Sequence, residues 1–182
     1  GQSCASVERV YVVEEIYDRL LDRIVDLTST LHAGDPNHPG TDLGPLANAG
    51  QLAIVESHVA DALGKGAKCL TGGERPEGPG FFYPPTVLVD VTDDTEVIRE
   101  ETFGPLMPIV KVADLDEAIR RANDSAFGLA ASGWTRSKRT AERLQRELTA
   151  GAVGINEHGI VAAGEVTATW GGLGDSGIGR AH

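Results

Sequence analysis

Hydrophobic and polar positions follow two different periods along the chain, and the period changes several times between its two ends. Residues 7–13 ("VERVYVV") alternate and are rich in β-branched side chains, which predicts a strand. Residues 14–31 have helical spacing, with acids and arginines on one side. The apolar side of this predicted helix is formed by Ile16, Leu20, Ile24 and Leu27. The pattern therefore begins with a strand that leads directly into an amphipathic helix.

Strands and helices continue to alternate along the rest of the chain. Further helices are predicted over residues 47–64, 115–124 and 137–149, the last one opened by Ser137 and closed by Gly151. Strands are predicted between these helices, over residues 67–73, 81–91, 104–112, 130–135 and 152–156. Such alternation predicts an α/β fold: a parallel, doubly wound-like sheet with helices on both faces.

Composition and charge exclude several classes of function. The formal net charge of −11, from 27 acidic and 16 basic residues, argues against nucleic acid or an anionic membrane as a partner. The two cysteines are too few for a disulfide framework, and no apolar run is long enough to span a bilayer. We therefore expect free thiols and a cytoplasmic location. The histidines are scattered without ligand spacing, so no metal site is expected.

The glycine-dense tail contains a deceptive motif. "GLGDSG", residues 172–177, matches the G-x-G-x-x-G pattern of dinucleotide-binding loops. A true loop of this kind follows a strand, opens a helix and has an acidic residue about 20 positions further on. No strand directly precedes this motif, and the sequence has no room for that acidic residue. We interpret it as a loop in which two backbones approach closely.

The first candidate for chemistry is Cys4, in the opening stretch "GQSC". Its neighbours are not typical of a core, so we expect it on a loop, where a thiol near backbone amides can act as a nucleophile. The alternative is a small buried apolar residue, which is the common role of a lone cysteine. Cys69 lies on a predicted buried strand and is assigned to packing. Glu8 is assigned to the strand that follows Cys4 and receives no role as a base.

Several short elements together resemble the aldehyde dehydrogenase superfamily. In chain order they are "GQSC" with "ERVYV", "GDP" then "GPL", "FFYPPTVLVDV", "EETFGP", "NDSAFGLAASGWT", "AGAVGIN" and "GGLGDSGIGR". Taken singly, each has an ordinary structural reading, such as a turn with solvated acids for "EETFGP". The resemblance implies the C-terminal, catalytic domain of such an enzyme over residues 1–182, truncated at both ends and without the coenzyme-binding domain.

The resemblance also implies roles for individual residues. In the family, a cysteine thiolate attacks the aldehyde carbon, hydride passes to NAD or NADP, and the resulting thioester is hydrolysed; this nucleophile is Cys4. Glu101 matches the family's glutamate that hydrogen-bonds the nicotinamide ribose, with Glu100 as the less favoured neighbour, and Phe103 would line the same part of the cofactor site. The positions that would line the substrate pocket are Ser3, Ala5 and Trp170.

Other catalytic groups of the family have no match in these 182 residues. The resemblance places the base glutamate and the second oxyanion donor upstream of the cysteine, so we expect the 182 residues alone not to turn over. Ala181 stands where many members have an acidic residue implicated in proton relay. Residues 159–170 contain no arginine, which favours a neutral or apolar aldehyde over an acidic one. Full-length members form homo-oligomers, either dimers or tetramers.

Two other functions stay open at this point. An acylating relative would use the same cysteine but pass the thioester to coenzyme A, without a hydrolytic base. A non-catalytic interaction or assembly module would not use the thiol at all. The upstream residues and the reactivity of the thiol are what separate these three functions.

Overall fold

The computed structural model describes residues 1–158 and 169–181. The chain divides into two compact units, Gly1–Asp114 and Leu115–His182. The elements of the first unit are β1 (Val10–Val13), α1 (Glu14–Ser29), α2 (Ala49–Gly64), β2 (Lys68–Thr71), β3 (Thr86–Val89), α3 (Glu96–Arg99) and β4 (Leu106–Val112). Those of the second unit are α4 (Leu115–Asn123), β5 (Phe127–Gly128), β6 (Ala130–Gly133), α5 (Lys138–Glu147), β7 (Ala152–Ile155) and β8 (Leu173–Gly174).

A four-stranded sheet with the order β1-β4-β3-β2 organises the first unit. Strands β1 and β3 both run parallel to β4, which confirms the predicted α/β class. The edge strand β2 differs, because it pairs with β3 in the antiparallel direction. Parallel neighbours need a long crossover, usually a helix, and the segment between β2 and β3 contains no helix. The sheet is therefore parallel with one antiparallel edge.

Helix α1 covers one face of this sheet. Tyr17 packs there with four sheet residues, and the Lys111 ammonium lies 4.6 Å from the centre of its ring. The sheet residues around Tyr17 are Val12, Val87, Val89 and Ile109. Of the predicted apolar face, Ile24 packs on this cluster, together with Leu21 and Val25.

The prediction is wrong for the other three residues of the apolar face. Ile16, Leu20 and Leu27 are 38%, 36% and 57% exposed. Two neighbouring stripes of α1 both have helical spacing, so periodicity alone does not rank them. The stripe that contains Tyr17 faces the sheet, where the large ring buries the most apolar area.

The opposite face of the sheet is covered as well. Successive side chains on a strand point to opposite faces, so Leu88 points away from the side occupied by Val87 and Val89. Leu88 and Pro108 are nonetheless fully buried. Helix α3 packs against β4, and α2 packs against α3 and β2. Helices therefore lie on both faces, as the alternating pattern predicts.

The second unit is built on two short strand pairs. Strands β6 and β7 are parallel, and β5 and β8 are antiparallel. Ser137 caps α5 as predicted, because its side chain accepts a hydrogen bond of 3.2 Å from the Thr140 amide. The helix ends at Glu147, so the predicted closing role of Gly151 is wrong. Gly151 is instead a point of close approach, since a Cβ there would lie 1.7 Å from the Gly171 carbonyl oxygen.

The glycine tail has the character predicted for it. Residues 173–174 form a strand and residues 175–176 a turn, and no helix follows within the described tail up to residue 181. Gly174 has a φ of +56°, and a Cβ at this residue would lie 2.2 Å from the Ala126 carbonyl oxygen. A Cβ at Gly172 would lie 2.5 Å from the Ser176 carbonyl oxygen, so Gly172 and Gly174 both serve close backbone packing.

The burial pattern makes a direct prediction for stability. Leu88→Ala removes a side chain that is 0% exposed, and we expect it to lower the free energy of unfolding by about 3 kcal/mol. The matched control Leu27→Ala, at a position 57% exposed, should change it by less than about 0.5 kcal/mol. Urea unfolding of the two variants measures this difference. Equal losses would contradict the assignment of buried and exposed faces.

Candidate active site

Cys4 lies on a tight turn between Ser3 and Ser6. The Ser6 amide donates to the Ser3 carbonyl at 2.9 Å, and the Ser3 amide donates to the Ser6 hydroxyl at 3.2 Å. The thiol of Cys4 is free and its residue is exposed, whereas the next residue, Ala5, is buried. The turn therefore presents the thiol to solvent and fixes the backbone on both sides of it.

The peptide N–H of Cys4 has no acceptor among residues 1–158 and 169–181, although the amides of Ser3 and Ser6 are both engaged. A backbone N–H beside a nucleophilic thiol is the arrangement that stabilises a developing oxyanion. The turn thus combines a candidate nucleophile with one candidate donor.

The stretch before Cys4 is firmly attached to the first unit. The Gln2 side chain donates to the Pro45 carbonyl at 3.1 Å and accepts from the Ala47 amide at 2.9 Å. Gly1 packs so closely that a Cβ there would lie 1.8 Å from the Gly104 carbonyl oxygen. The cysteine turn is therefore held against the segment that carries Glu101 and Phe103.

Thr102 is the centre of that second segment. It is only 1% exposed, and α2 holds it through two side chains. Gln51 donates to the Thr102 carbonyl at 2.6 Å, and His58 Nδ1 lies 3.0 Å from the Thr102 hydroxyl. The remaining polar group, the Thr102 amide, donates to the Glu8 carboxylate at 3.2 Å. Every polar group of Thr102 is therefore satisfied.

The flanking residues Glu101 and Phe103 are presented by this anchor. Glu101 is exposed, and Phe103 is half-buried with a φ of +50°, an uncommon conformation for a bulky residue. Glu100, the neighbour considered as an alternative, is also exposed, and its amide ends α3 by donating to the Glu96 carbonyl. The structure thus places Glu101 and Phe103 on one segment that contacts the cysteine stretch.

Glu8 is the residue that sequence reasoning missed. It lies before β1, not within it, and its carboxylate accepts from the amides of Thr102 and Phe103 at 3.2 and 3.3 Å. Burial raises the pKa of Glu8, and the two amides partly offset this effect. An acid so close to the candidate nucleophile was the available signal, but its partners lie more than ninety residues away.

His58 is a second buried titratable group behind the same segment. Its ring lies between the Thr102 hydroxyl and the Glu96 carboxylate, which is 3.9 Å from Nε2. Burial lowers the pKa of His58, although the charges of Glu96, Glu100 and Asp61 act in the opposite direction. The neutral imidazole is therefore the form that supports Thr102.

Trp170 belongs to the second unit. It is half-buried, and its backbone exchanges hydrogen bonds of 3.0 and 2.7 Å with Ala181. The neighbouring Arg180 donates to the Thr169 hydroxyl at 3.2 Å. Ala181 stands where the resemblance led us to look for an acidic residue, and its backbone N–H and carbonyl form these two hydrogen bonds. Most of the sequence considered for substrate preference, residues 159–168, lies outside the described residues.

Other features of the chain are structural. Cys69 lies on the edge strand β2 and is half-buried, less buried than predicted, because only one neighbouring strand covers that edge. Burial raises the pKa of its thiol, which donates to the Thr71 carbonyl.

Across residues 1–158 and 169–181, no cluster of His, Cys, Asp or Glu is placed to hold a metal ion. None of the helices in the same ranges has the length and apolar character that crossing a bilayer requires.

Known proteins are similar to this chain in both sequence and fold. A family model described as the aldehyde dehydrogenase family matches residues 1–182. The NADP(+) succinate-semialdehyde dehydrogenase GabD of Escherichia coli is 43% identical over 99% of this chain and 37% of that protein. The crystal structure of succinate-semialdehyde dehydrogenase from Burkholderia pseudomallei has a TM-score of 0.92 and 42% identity over 99% of this chain and 37% of that one. Lactaldehyde dehydrogenase from Escherichia coli has a TM-score of 0.93 and 38% identity over the same shares.

The fold and the site define an α/β protein with an exposed thiol on an anchored turn, beside an acidic segment held by buried hydrogen bonds. With the family match over residues 1–182, the chain belongs to the aldehyde dehydrogenase family. It spans a little more than a third of the length of the curated relatives it matches.

The His58 environment predicts a pH dependence of stability. Because the pKa of His58 is lowered from its ordinary value of 6.5, the unfolded chain binds the proton more readily than the folded one. The contribution of neutral His58 to the free energy of unfolding is therefore complete above pH 6.5. It is lost as the pH falls through the lowered pKa of the folded state. His58→Asn keeps a polar group near Thr102, and it should flatten the acid side of the unfolding free energy.

Urea unfolding at several values between pH 7.5 and pH 5 measures this effect. His32→Asn is the matched control, since the His32 side chain is 77% exposed and should leave the acid side unchanged. If wild type and His58→Asn lose the same free energy on acidification, the neutral buried imidazole is not the source.

Proposed function

We propose that residues 1–182 are the catalytic-domain part of an NAD(P)-dependent aldehyde dehydrogenase in which Cys4 is the nucleophile. The observation that carries this proposal is the Cys4 turn, with its exposed thiol, an amide that has no acceptor among the described residues, and the close packing of the nearby Gly1 against Gly104. The relatives named above support an aldehyde as the substrate. In the proposed enzyme, a coenzyme-binding region accompanies these residues, and the 182 residues alone do not turn over.

Cys4 performs the first chemical step of this proposal. Its thiolate adds to the aldehyde carbon, so that a carbon–sulfur bond forms and the carbonyl oxygen becomes an oxyanion. The Cys4 N–H donates to that oxyanion, and one such donor is typically worth about 3 kcal/mol in the transition state. Ser3 and Ala5 flank the thiol and form the adjacent wall of the pocket. The family resemblance assigns the second donor and the deacylating base to residues that precede the cysteine.

The segment of Glu101 and Phe103 fits the sugar of a nicotinamide nucleotide. An exposed carboxylate on a fixed backbone can accept hydrogen bonds from two vicinal ribose hydroxyls. Phe103 offers an apolar surface next to it. When bound, the nicotinamide supplies the acceptor for the hydride that leaves the substrate carbon. Glu101 and Phe103 contribute binding and orientation, and the names of the relatives favour NADP.

The substrate is proposed from the relatives and from the Trp170 segment. The family resemblance assigns Trp170 to substrate contact, and within its own unit Arg180 places a guanidinium beside Thr169. A carboxylate-bearing aldehyde such as succinate semialdehyde would find a cationic partner there. The succinate-semialdehyde dehydrogenases among the relatives favour an acidic aldehyde, in contrast to the neutral or apolar one that the sequence of residues 159–170 suggested, whereas the lactaldehyde dehydrogenase agrees with a neutral one. Comparing succinate semialdehyde with lactaldehyde separates the two classes.

The remaining parts of the proposal concern the two alternative functions, the assembly and the location. Nothing in the names of the reported relatives favours transfer to coenzyme A or a purely structural module. Assembly as a homodimer or homotetramer stays a prediction. The cytoplasmic location also stays a prediction, supported by the two free thiols.

Replacement of the proposed nucleophile tests this function. In the enzyme that carries these residues, Cys4→Ser should lower kcat with NADP and succinate semialdehyde by a factor on the order of 10³ or more, because a serine hydroxyl lacks the nucleophilicity of a thiolate. Cys69→Ser is the matched control and should leave kcat unchanged within about twofold. Steady-state formation of the reduced nucleotide measures both. Retention of activity by Cys4→Ser would remove Cys4 from the mechanism.

Replacement of Glu101 tests the nucleotide contact. Glu101→Gln loses the charge that strengthens hydrogen bonds to the ribose, so KM for the nucleotide should rise about tenfold with a smaller change in kcat. Glu100→Gln, one residue away, should leave this KM near the wild-type value. Nucleotide titrations at saturating aldehyde give both constants. A larger effect from Glu100→Gln would reverse the assignment of the two acids.

A further inference from the structure

The geometry points to Glu8 as a positioning residue that fixes the Glu101–Phe103 segment relative to the Cys4 turn. This inference rests on the proposed function, because the proposal is what gives Glu101, Phe103 and Cys4 their roles. Glu8 touches neither the thiol turn's own hydrogen bonds nor any group that reacts. It acts through the backbone of the segment that presents Glu101 and Phe103.

The carboxylate of Glu8 bridges two consecutive amides. Its Oε2 accepts from the Thr102 N–H at 3.2 Å and its Oε1 accepts from the Phe103 N–H at 3.3 Å. A carboxylate that uses both oxygens on neighbouring peptide groups defines the orientation of those groups, not only their distance. The peptide that joins Glu101 to Thr102 is therefore oriented from the cysteine side of the unit.

Phe103 needs such support. A bulky residue at a φ of +50° costs on the order of 1–3 kcal/mol, and it persists only where its surroundings hold it. On the α2 side, Gln51 and His58 hold the carbonyl and hydroxyl of Thr102. The two amides are the groups that α2 does not reach. Glu8 satisfies them, which completes the support of the strained residue.

The charge of Glu8 has a cost for the fold. Burial raises its pKa, and the negative charge of Glu101 acts in the same direction. A raised folded-state pKa means that the contribution of Glu8 to stability is greatest below its unfolded pKa and declines as the pH rises towards neutrality. A neutral acceptor would satisfy one amide without this cost. The two-oxygen carboxylate is the group that can orient both amides at once.

The same geometry favours a positioning role for Glu8 over that of the deacylating base. Each of its oxygens accepts one backbone N–H, so protonation of either oxygen would weaken the acceptor of the Thr102 or the Phe103 amide. Its chain neighbours also tie it to structure, because the strand β1 begins two residues later at Val10. Its effect on the reaction is therefore expected in the binding of the nucleotide, which contacts the segment that Glu8 orients.

Hydrogen–deuterium exchange on the 182-residue chain tests the positioning directly. Glu8→Ala should raise exchange at the amides of Thr102 and Phe103 by about tenfold or more, while the amides of α2 keep their protection. Glu14→Ala, which removes an exposed acid of α1, should leave all of these amides unchanged. Unchanged exchange at residues 102–103 in Glu8→Ala would overturn the inference, and so would a loss of protection throughout the first unit.

A double-mutant cycle in the active enzyme tests the link to Glu101. Glu8→Gln should raise KM for the nucleotide about tenfold, because one of the two amides loses its acceptor and the segment loses its orientation. In Glu101→Gln, the same change should have a much smaller effect, since the group that Glu8 positions is already lost. A purely structural role would lower the amount of folded enzyme, and hence the rate at saturation, without changing KM.

These outcomes separate the inference from the function on which it rests. If Cys4→Ser remains active, the proposed function fails whatever Glu8 does. If Cys4→Ser is inactive but Glu8→Gln and Glu101→Gln raise KM by independent, multiplicative factors, the function stands and the positioning role of Glu8 is wrong. Glu14→Gln, at an exposed acid of α1, is the matched control and should keep the wild-type KM; an equal KM in Glu8→Gln also rejects the positioning role.

Discussion

The burial of Thr102 is the constraint on which the site depends. A buried polar group that is left without a hydrogen bond costs on the order of 1–3 kcal/mol. Thr102, at 1% exposure, buries an amide, a carbonyl and a hydroxyl, and each of them needs a partner. The partners come from two different parts of the chain: Gln51 and His58 from α2, and Glu8 from the stretch after Cys4. Satisfying Thr102 therefore brings the cysteine stretch, the helix and the acidic segment into one arrangement.

Small residues make that arrangement close enough to matter. Gly104 is buried against Val55 of α2, where a Cβ would lie 2.4 Å from a valine methyl group. Gly1 meets the carbonyl of the same Gly104 from the other side. The backbone at residue 104 is thus enclosed between α2 and the cysteine stretch. Larger side chains at these two positions would move the turn that carries the thiol.

The sequence predicted the order and type of most elements, since strands and helices alternate with clear periods. It placed Cys4 on a loop and interpreted residues 172–177 as a loop of close backbone approach, which Gly172 and Gly174 show. It did not predict the antiparallel direction of β2, although a signal was present: no helix is predicted between residues 73 and 81, and a parallel neighbour needs a long crossover. It also did not predict which stripe of α1 faces the sheet, because Ile16 and Tyr17 begin equally periodic stripes.

The relation of Glu8 and His58 to Thr102 was beyond sequence reasoning for a different reason. Each contact joins residues far apart in the chain, and neither local pattern nor residue type specifies such a pairing. Resemblance to the family proposes roles for Cys4 and Glu101 from their own motifs, but it does not identify the groups that hold those motifs. Only the folded backbone shows that an acid four positions after the cysteine supports a phenylalanine near residue 100.

The pairing of β1 with β4 also determines the order in which the site can come into being. Val10 lies beside Ile109, about 100 residues further along the chain, so this pairing closes a long loop. A ribosome produces the cysteine first and its supporting segment much later. During that interval the Cys4 turn lacks the supporting segment of residues 101–104, and contacts of such high sequence separation form slowly. The surroundings of Cys4 are therefore among the last parts of the unit to assemble.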